Sequence, residues 1–514
     1  MVNRIFNILK KEISGLHEAA FLLGFFALMS QILALVRDRL LAHTFGASAS
    51  LDVYYAAFRI PDFIYTSIAS FVSITVLIPF LSRYFLEDDS ADARERARIF
   101  LGSVFSIFVL TILLISTVAF ILMPYLAPYL APGFSPSQLS LLTLLSRLML
   151  LSPILLGVSN LFGSVTQLFK KFFVYALAPL LYNGGIIMGV VFFYPVFGLP
   201  GLGLGVIFGA FLHMLIQIPV VFESGLLPRF SFSFDWRAIR EVVTLSLPRT
   251  IALSASVFTL MVITALASTI YRGSISIFNF SFNLQSVPLS IIGVSYSLAA
   301  FPAMAGFFSR GERALFAGHV VEALRHIIFW SLPVMALFVV LRAQIVRVIL
   351  GSGSFSWSDT RLTAAALALF SVSIFAQGIV LLLARGFYAA GETKVPLLVN
   401  ISASAATILL SLGLLSIFES APMFRYFMES LLRVENLPGT AILMLPLAYS
   451  LGMLGNAVAL WFFFENRHVT AIPHSLSRTS FESFAAAVFI GFVSYLCLVI
   501  FGRIFNLNTF LGIF

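Results

Sequence analysis

The chain alternates between long apolar runs and short polar segments. Each run has about 20 residues or more, the length that crosses the hydrocarbon core of a bilayer as a helix. Backbone polar groups find no water in lipid, so these runs are predicted to be α-helices. The thirteen predicted spans lie at about 19–45, 53–82, 99–126, 138–164, 172–194, 201–222, 242–268, 275–306, 318–348, 361–388, 395–418, 440–464 and 482–502. The pattern therefore predicts an all-α integral membrane protein.

The two ends of the sequence differ from these spans. Residues 1–16 are predicted to form a short amphipathic helix on the membrane surface. Residues 505–514, FNLNTFLGIF, read as the start of a further span. We therefore expect a fourteenth helix to be missing or cut short.

Charged residues interrupt the apolar pattern most clearly between residues 30 and 61. Arg37, Asp38, Arg39, Asp52 and Arg59 lie in or between the first two spans. A charge at the centre of a bilayer costs about 2.5–3.5 kcal/mol on insertion scales. Such residues usually face a protein-lined or water-filled interior, so this stretch is predicted to line a polar cavity.

Each of these charges also has a structural interpretation. Arg37 and Asp38 could be interfacial anchors that snorkel to water, and Arg39 suits a surface or interface position. Adjacent helical residues do not share a face, which predicts separate partners for Arg37 and Asp38. Asp52 fits the N-cap of the second span better than a substrate contact. Arg59 suits either a helix end or, through its planar fork, phosphate oxygens.

The other residues of interest within the spans are a proline, an arginine and three amides. Pro61 has no N–H and frees a backbone carbonyl, which predicts a kink. Arg249 is either an interfacial anchor or a residue at the inner mouth of the cavity. Asn283, Gln285 and Gln377 are expected to form interhelical hydrogen bonds more often than substrate contacts.

The distribution of Lys and Arg predicts the orientation of the chain. These residues concentrate in alternate loops, which places the N-terminus in the cytoplasm by the positive-inside rule. On that assignment Arg37 and Arg39 lie toward the outer side, against the bias. The main exceptions in outer loops are Arg272, Arg361, Arg425 and Arg433.

Composition narrows the function. The 514 residues are 60% hydrophobic and only 10% charged, so the net charge of +9 indicates cytoplasmic loops rather than nucleic-acid binding. Cys497 is the single cysteine, which excludes an intramolecular disulfide framework, and the histidines show no metal-ligand spacing. An enzyme is not favoured, because the segments outside the membrane contain no paired carboxylates. We predict a transporter with no catalytic residue, no metal and no cofactor.

Short motifs recur in the same order in the two halves. Pro179–Asn183 resembles Pro396–Asn400, and Leu199-Pro200-Gly201 resembles Leu437-Pro438-Gly439. Six spans per half give both halves the same orientation, which predicts two lobes related by a pseudo-two-fold axis along the membrane normal. The predicted organisation is an N-lobe at 17–224, a C-lobe at 225–466, and a C-terminal span with its tail at 467–514.

Several motifs resemble one family of transporters. They occur in family order over nearly the whole chain, and they are Val36-Arg37-Asp38-Arg39, Phe45-Gly46-Ala47, Asp52, Ala57-Phe58-Arg59-Ile60-Pro61, Ala131-Pro132-Gly133-Phe134, Ala178-Pro179 with Asn183, Gly386-Phe387-Tyr388-Ala389 and Thr393-Lys394-Val395-Pro396. The ordered set resembles the MurJ/MviN lipid II flippases of the multidrug/oligosaccharidyl-lipid/polysaccharide exporter superfamily.

The resemblance implies a function. Members of this family move undecaprenyl-linked peptidoglycan precursor to the outer leaflet of the bacterial cytoplasmic (inner) membrane by alternating access. It implies a central cavity lined by Arg37, Asp38, Arg59 and Asn283, with Arg249, Asp52 and Arg39 at its mouth or in structural positions. The implied partners are the lipid-linked precursor and membrane lipid, with cell-wall synthesis proteins as further candidates. An oligomer is not implied.

The sequence departs from the family pattern in its charges. Neutral residues stand where the family usually has arginines or a glutamate, namely Gln31, Tyr65, Thr66, Ser70 and Asn283. Spans 7, 11 and 12 have no acid in their interiors, so a family-type sodium site is not implied. These departures leave a second function open, a flippase for another lipid-linked oligosaccharide or a related exporter of the same superfamily.

Overall fold

The computed structural model describes residues 16–69, 71–72, 74–85, 91–232, 234–469 and 474–504. All regular secondary structure in these ranges is helical. Among these residues eleven helices are long and apolar enough to cross a membrane, and counting one bent pair as a span gives twelve. The prediction of an all-α membrane protein is therefore confirmed. The surface helix predicted before residue 16 and the tail 505–514 lie outside the described residues.

The chain divides into two compact units. Unit 1 comprises Met1–Leu40 and Val53–Phe258, and unit 2 comprises Leu41–Asp52 and Thr259–Phe514. The helices of the first half are α1 (Leu16–Phe45), α2 (Ala49–Ala57), α3 (Arg59–Ile64), α4 (Ile74–Phe85), α5 (Ala91–Leu130), α6 (Pro136–Met149), α7 (Leu151–Leu168), α8 (Phe172–Met188), α9 (Tyr194–Phe197), α10 (Leu199–Leu215) and α11 (Ile218–Glu223). Those of the second half are α12 (Trp236–Ser268), α13 (Ser274–Leu289), α14 (Ser295–Ser309), α15 (Arg313–Val340), α16 (Arg342–Leu350), α17 (Trp357–Ser371), α18 (Ile374–Ala389), α19 (Lys394–Ser420), α20 (Pro422–Leu432), α21 (Met444–His468) and α22 (His474–Ile504).

The predicted second span, 53–82, is not one regular helix. Helix α2 ends at Ala57, α3 follows after one residue, and a π-helical segment occupies Tyr65–Ala69. Pro61 cannot donate to the carbonyl of Ala57, and the hydroxyl of Ser146 donates to that oxygen instead, at 3.4 Å. The regular helix is interrupted at Phe58, three residues before Pro61, and the carbonyl that Pro61 frees is satisfied by a neighbouring helix, while the kink itself stays a prediction.

A similar irregularity occurs in unit 2. A π-helical segment at Ser290–Val294 follows Pro288, as the segment at Tyr65–Ala69 follows Pro61. The tenth predicted span is also broken, because α17 and α18 meet at an angle of 43°. Irregular turns of this kind inside helices occur frequently at functional sites.

Each unit has its own apolar core. In unit 1 the core includes Phe80, Phe100 and Phe108, and in unit 2 it includes Phe316 and Phe464. Many other large apolar side chains are exposed, particularly along α5 and α22. This distribution is typical of helices whose outer faces contact lipid.

Close packing of glycines fixes α8 against α10. A Cβ on Gly185 would collide with the backbone of Gly209, and one on Gly205 would collide with that of Gly189. Small residues allow such close approach of helix backbones in membranes. The contact sets the spacing of the two helices that carry Asn183 and His213, which both line the site described below.

Candidate functional site

Unit 1 contains a cavity of about 320 Å³ with several polar side chains in a largely apolar wall. Its walls come from α3 and the π-helical segment after it, and from α6, α7, α8 and α10. The polar side chains that line it are Asp62, Tyr65, Ser152, Tyr182, Asn183 and His213. Apolar residues, including Phe58, Leu156 and Val206, complete the walls. The cavity thus combines titratable groups with an apolar enclosure, the usual composition of a ligand site.

The break in the second span determines which side chains enter this cavity. Pro61, Asp62 and Tyr65 all line it, and residues three or four apart share one face of a helix. The hydroxyl of Tyr65 accepts a hydrogen bond from Asn160 Nδ2 at 3.0 Å. The π-helical segment begins at Tyr65, so the widened turn lies directly at the cavity wall.

Arg37 lies beside the cavity and is held by two partners. Its Nε and Nη2 contact Asp38 Oδ1 at 3.0 and 2.9 Å, and its Nη1 donates to Asn183 Oδ1 at 3.1 Å. Asn183 in turn donates to Ser30 Oγ at 3.2 Å. The prediction of separate partners for Arg37 and Asp38 is wrong, because the long arginine side chain turns back along the helix to its neighbour.

Arg59 is the most deeply buried arginine of the predicted site. It is 7% exposed, and it interacts electrostatically with Asp62 three residues later. A buried guanidinium needs such a counter-charge because desolvation of an isolated ion is costly. Asp62 therefore supplies negative charge near the buried Arg59.

His213 enters the cavity wall from α10. Its Nδ1 lies 2.7 Å from Ser159 Oγ, and Gln217 Nε2 also contacts that hydroxyl. Both Ser159 and Gln217 are almost completely buried. The imidazole is thereby fixed in orientation by a hydrogen-bonded group within the helix bundle.

Three titratable residues of this cavity were missed by the sequence analysis: Asp62, Tyr182 and His213. Asp62 had a detectable signal, because it is an acid inside a predicted span, directly after Pro61. His213 was a polar residue near the end of an apolar run. Tyr182 had no comparable signal, since tyrosine is common in membrane helices.

Asp52 is not the N-cap of its own helix, and that prediction is wrong. Its carboxylate is 2% exposed and accepts hydrogen bonds from Gly273 N at 2.5 Å, and from Ser276 N and Oγ, both at 2.7 Å. These groups belong to the first turn of α13, which Asp52 therefore caps from a distant part of the sequence. The side chain of Ser48 accepts from Leu51 N at the start of α2.

The remaining predicted residues lie elsewhere. Asn283 is half-buried on α13 in unit 2, Arg249 is exposed on α12, and Arg39 is half-buried near the end of α1. Their assignment to a central cavity stays a prediction. The prediction of interhelical bonds by the buried amides is confirmed for Gln377, whose Nε2 donates to Gln285 Oε1 at 3.1 Å.

The chemistry available in unit 1 is that of binding. The cavity wall offers a carboxylate, two phenols, an amide and an imidazole, and Arg37 is bonded to that amide. These groups can bind polar groups and exchange protons. The described residues contain no cluster of three or more His, Cys, Asp or Glu that could hold a metal ion.

The fold matches those of solved membrane transporters. A structure titled "Lipid II flippase MurJ, inward closed conformation" aligns with a TM-score of 0.71 and 21% identity, covering 94% of this chain and 99% of that one. An inward-facing multidrug resistance MATE family transporter of the MOP superfamily aligns with a TM-score of 0.68 and 14% identity, covering 88% and 96%. The chain thus shares the fold of these multi-helix membrane proteins.

Sequence comparison identifies the family. The model described as "Lipid II flippase MurJ" matches residues 41–514. The probable lipid II flippase MurJ of Buchnera aphidicola subsp. Schizaphis graminum is 28% identical over 399 residues, which cover 77% of this chain and 75% of the relative. The corresponding protein of Vibrio cholerae is 26% identical over 401 residues, covering 77% and 76%. The chain belongs to the lipid II flippase MurJ family.

Proposed function

We propose that this protein moves an undecaprenyl-pyrophosphate-linked peptidoglycan precursor, lipid II, from the inner to the outer leaflet by alternating access. The observation that carries the proposal is the family match, which extends over residues 41–514. Transport of this kind forms and breaks no covalent bond. The protein has to shield a charged, sugar-bearing headgroup while the polyprenyl tail stays in lipid.

The headgroup site would contain Arg37, Asp38, Arg59 and Asn283. Arginine suits this role because its planar fork binds two phosphate oxygens at once. The partners of Arg37 hold its guanidinium in place, and Arg59 is buried close to the same cavity. Asp62, Tyr65 and His213 extend the polar surface on which a sugar or a phosphate could rest.

The orientation of the transporter is part of the proposal. The Lys and Arg bias of the loops supports a cytoplasmic N-terminus in a bacterial inner membrane. Cell-wall synthesis proteins that supply or consume the precursor are candidate partners. Reporter fusions at the N-terminus and in the loop near Arg433 would test the orientation, because they should give opposite cytoplasmic and outer signals.

A complementation experiment tests the function. The full chain is expressed in a bacterium depleted of its own MurJ, and growth is measured together with the amount of protein in the membrane. We expect the unaltered chain to restore growth. We expect Arg37→Ala and Arg59→Ala to abolish rescue, and the matched control Arg478→Ala, whose side chain is 80% exposed, to retain it.

The same strains allow a direct measurement of transport. An impermeant reagent added outside should modify the precursor only after it reaches the outer leaflet. Failure of a correctly inserted chain to restore either growth or labelling would overturn the lipid II proposal. Normal labelling by both arginine variants would show instead that the cavity assignment is wrong.

Neutral residues in the expected headgroup site support a second candidate, a flippase for another lipid-linked oligosaccharide or a related exporter. Tyr65 lines the cavity where the family usually has an arginine, and it is already bonded to Asn160. A less cationic site would suit a headgroup with less negative charge. Labelling of a different lipid-linked sugar, in a strain that the chain does not rescue, would favour this candidate.

A further inference from the structure

A second polar cavity lies in unit 2, far along the sequence from the site in unit 1. Its volume is about 720 Å³, and it is enclosed by the end of α15, by α16 and α17, and by α20 and α22. Three arginines line it: Arg342, Arg361 and Arg433. The transport proposal gives these residues no role.

Two of the three guanidinium groups, those of Arg342 and Arg361, are positioned by backbone carbonyls. Arg361 donates from Nε and Nη2 to the carbonyl oxygen of Arg433, at 3.0 and 2.5 Å. Arg342 donates to the carbonyls of Val339 and Leu432 at 3.4 Å each, which are long hydrogen bonds. Carbonyl partners orient a guanidinium but do not neutralise it. The cavity is therefore lined by oriented cations that retain unused N–H groups.

Little negative charge from acidic side chains lies near these arginines. Glu435 Oε2 lies 3.8 Å from Arg361 Nη2, and the Glu435 side chain is itself 47% exposed. Arg342 additionally interacts with the like charge of Arg433. Like charges brought together in a partly buried site repel each other, and a bound anion would relieve that repulsion.

The wall of the cavity also contains an amide oxygen that could accept a further hydrogen bond. Gln344 lines it, and its Oε1 is buried without a hydrogen-bond partner among the residues that the structure describes. A buried amide oxygen in this state costs about 1–3 kcal/mol of desolvation. Since this oxygen is itself buried, the amide has to turn toward the cavity before a ligand can reach it. A ligand that offers a hydroxyl beside an anionic group would then satisfy Gln344 and the arginines together.

The remaining walls are suited to a lipid. Leu431, Leu498 and Val499 present apolar side chains, and Val499 belongs to α22. The outward face of α22 is rich in exposed apolar residues, among them Phe489 and Phe492. An acyl chain could therefore continue from the cavity along that helix.

The sequence pattern gives independent support. Arg361 and Arg433 are two of the four arginines that depart from the Lys and Arg bias of the loops. Charges in such positions oppose the positive-inside rule unless a partner holds them there. Both residues line this cavity together with Arg342, so one bound anion would explain two of the four exceptions.

We propose that this cavity binds the phosphate of an anionic membrane lipid whose headgroup carries a hydroxyl, as in phosphatidylglycerol. The arginines bind the phosphate oxygens, Gln344 accepts the headgroup hydroxyl, and the acyl chains lie against α22. The cavity shares no lining residue with the cavity of unit 1, and its lipid does not depend on the identity of the transported substrate.

The test counts bound molecules on the purified, delipidated full chain by native mass spectrometry. The protein is titrated with phosphatidylglycerol, with phosphatidylcholine, or with inorganic phosphate in the presence of phosphatidylcholine. The key variant is Arg433→Asn, which removes an exposed charge, keeps the carbonyl that Arg361 uses, and suits the left-handed backbone at this position (φ 59°). Arg272→Asn, an equal change of charge at an exposed site outside the cavity, is the matched control.

We expect one phosphatidylglycerol to bind tightly, and Arg433→Asn to weaken it about tenfold, the effect of losing one charge-assisted hydrogen bond. Arg342→Gln should do the same, and Arg272→Asn should change nothing. Phosphatidylcholine binding as well as phosphatidylglycerol would overturn the proposal. Occupancy by inorganic phosphate with the same arginine dependence would assign the site to a soluble anion and overturn the lipid assignment. Equal weakening by Arg272→Asn would also overturn it, since the effect would then reflect net charge alone.

Discussion

The hydrogen bonds between Asp52 and the start of α13 allow a quantitative prediction of the free energy of unfolding. Asp52 and Ser276 are separated by more than 220 residues, yet the carboxylate receives three hydrogen bonds from the first turn of α13. Removing the side chain by Asp52→Ala leaves two buried N–H groups unsatisfied, at about 1–3 kcal/mol each. We expect Asp52→Ala to lower the free energy of unfolding by about 2–6 kcal/mol, the sum for the two unsatisfied donors.

Smaller changes separate the contributions. Asp52→Asn keeps one oxygen for Ser276 but turns an NH₂ group toward the N–H of Gly273, so it should cost about 2 kcal/mol, near the value of one charge-assisted bond. Ser276→Ala removes only the hydroxyl bond and should cost about 1 kcal/mol. The double variant Asp52→Ala with Ser276→Ala should be no less stable than Asp52→Ala alone, because the hydroxyl has no partner left.

The assay is equilibrium unfolding of the full chain in bicelles, with hydrogen exchange of the peptide around Gly273 as a local readout. Asp235→Asn is the matched control. Asp235 Oδ1 accepts from Arg237 N at the exposed start of α12, where asparagine caps as well as aspartate. The reasoning fails if Asp52→Asn costs no more than Asp235→Asn, or if the effects of Asp52→Ala and Ser276→Ala are additive.

Two further predictions concern packing. Gly209→Val should prevent α8 from approaching α10, because even a Cβ at Gly209 collides with the backbone of Tyr182. The detergent-extracted variant should then lose its folded fraction in size-exclusion chromatography. The control Gly184→Ala should keep that fraction, because a Cβ at Gly184 meets no other atom within 4 Å. Gln377→Leu should destabilise unit 2 by about 0.6–1.7 kcal/mol, as measured for interhelical hydrogen bonds in membranes. The double variant with Gln285→Leu should recover part of that loss in the equilibrium unfolding assay, because neither amide is then left without its partner. A double variant less stable than the single one would contradict this account.

The helices could be predicted from sequence because the bilayer imposes a simple rule on long apolar runs. The break in the second span could be predicted only in part. Pro61 signals a kink, but the π-helical segment at Tyr65 and the bond from Ser146 to Ala57 depend on packing against other helices. Asp52 was misassigned for a related reason, since a cap from its own helix is visible in sequence and a cap supplied to α13 is not.

Arg37 shows how a contact changes the meaning of a predicted site residue. In the sequence it is a free cation in an apolar helix, available to a pyrophosphate. In the structure three of its five N–H groups face Asp38 and Asn183. A phosphate that bound Arg37 through a full fork would have to displace Asp38, whose buried carboxylate would then lose its contacts with the guanidinium. Because that exchange is costly, we infer that Arg37 engages a headgroup through its two remaining N–H groups while Asp38 stays in place. Asp38→Asn should therefore weaken transport by misorienting Arg37, even though it makes the site more positive, and faster transport by Asp38→Asn would refute this role.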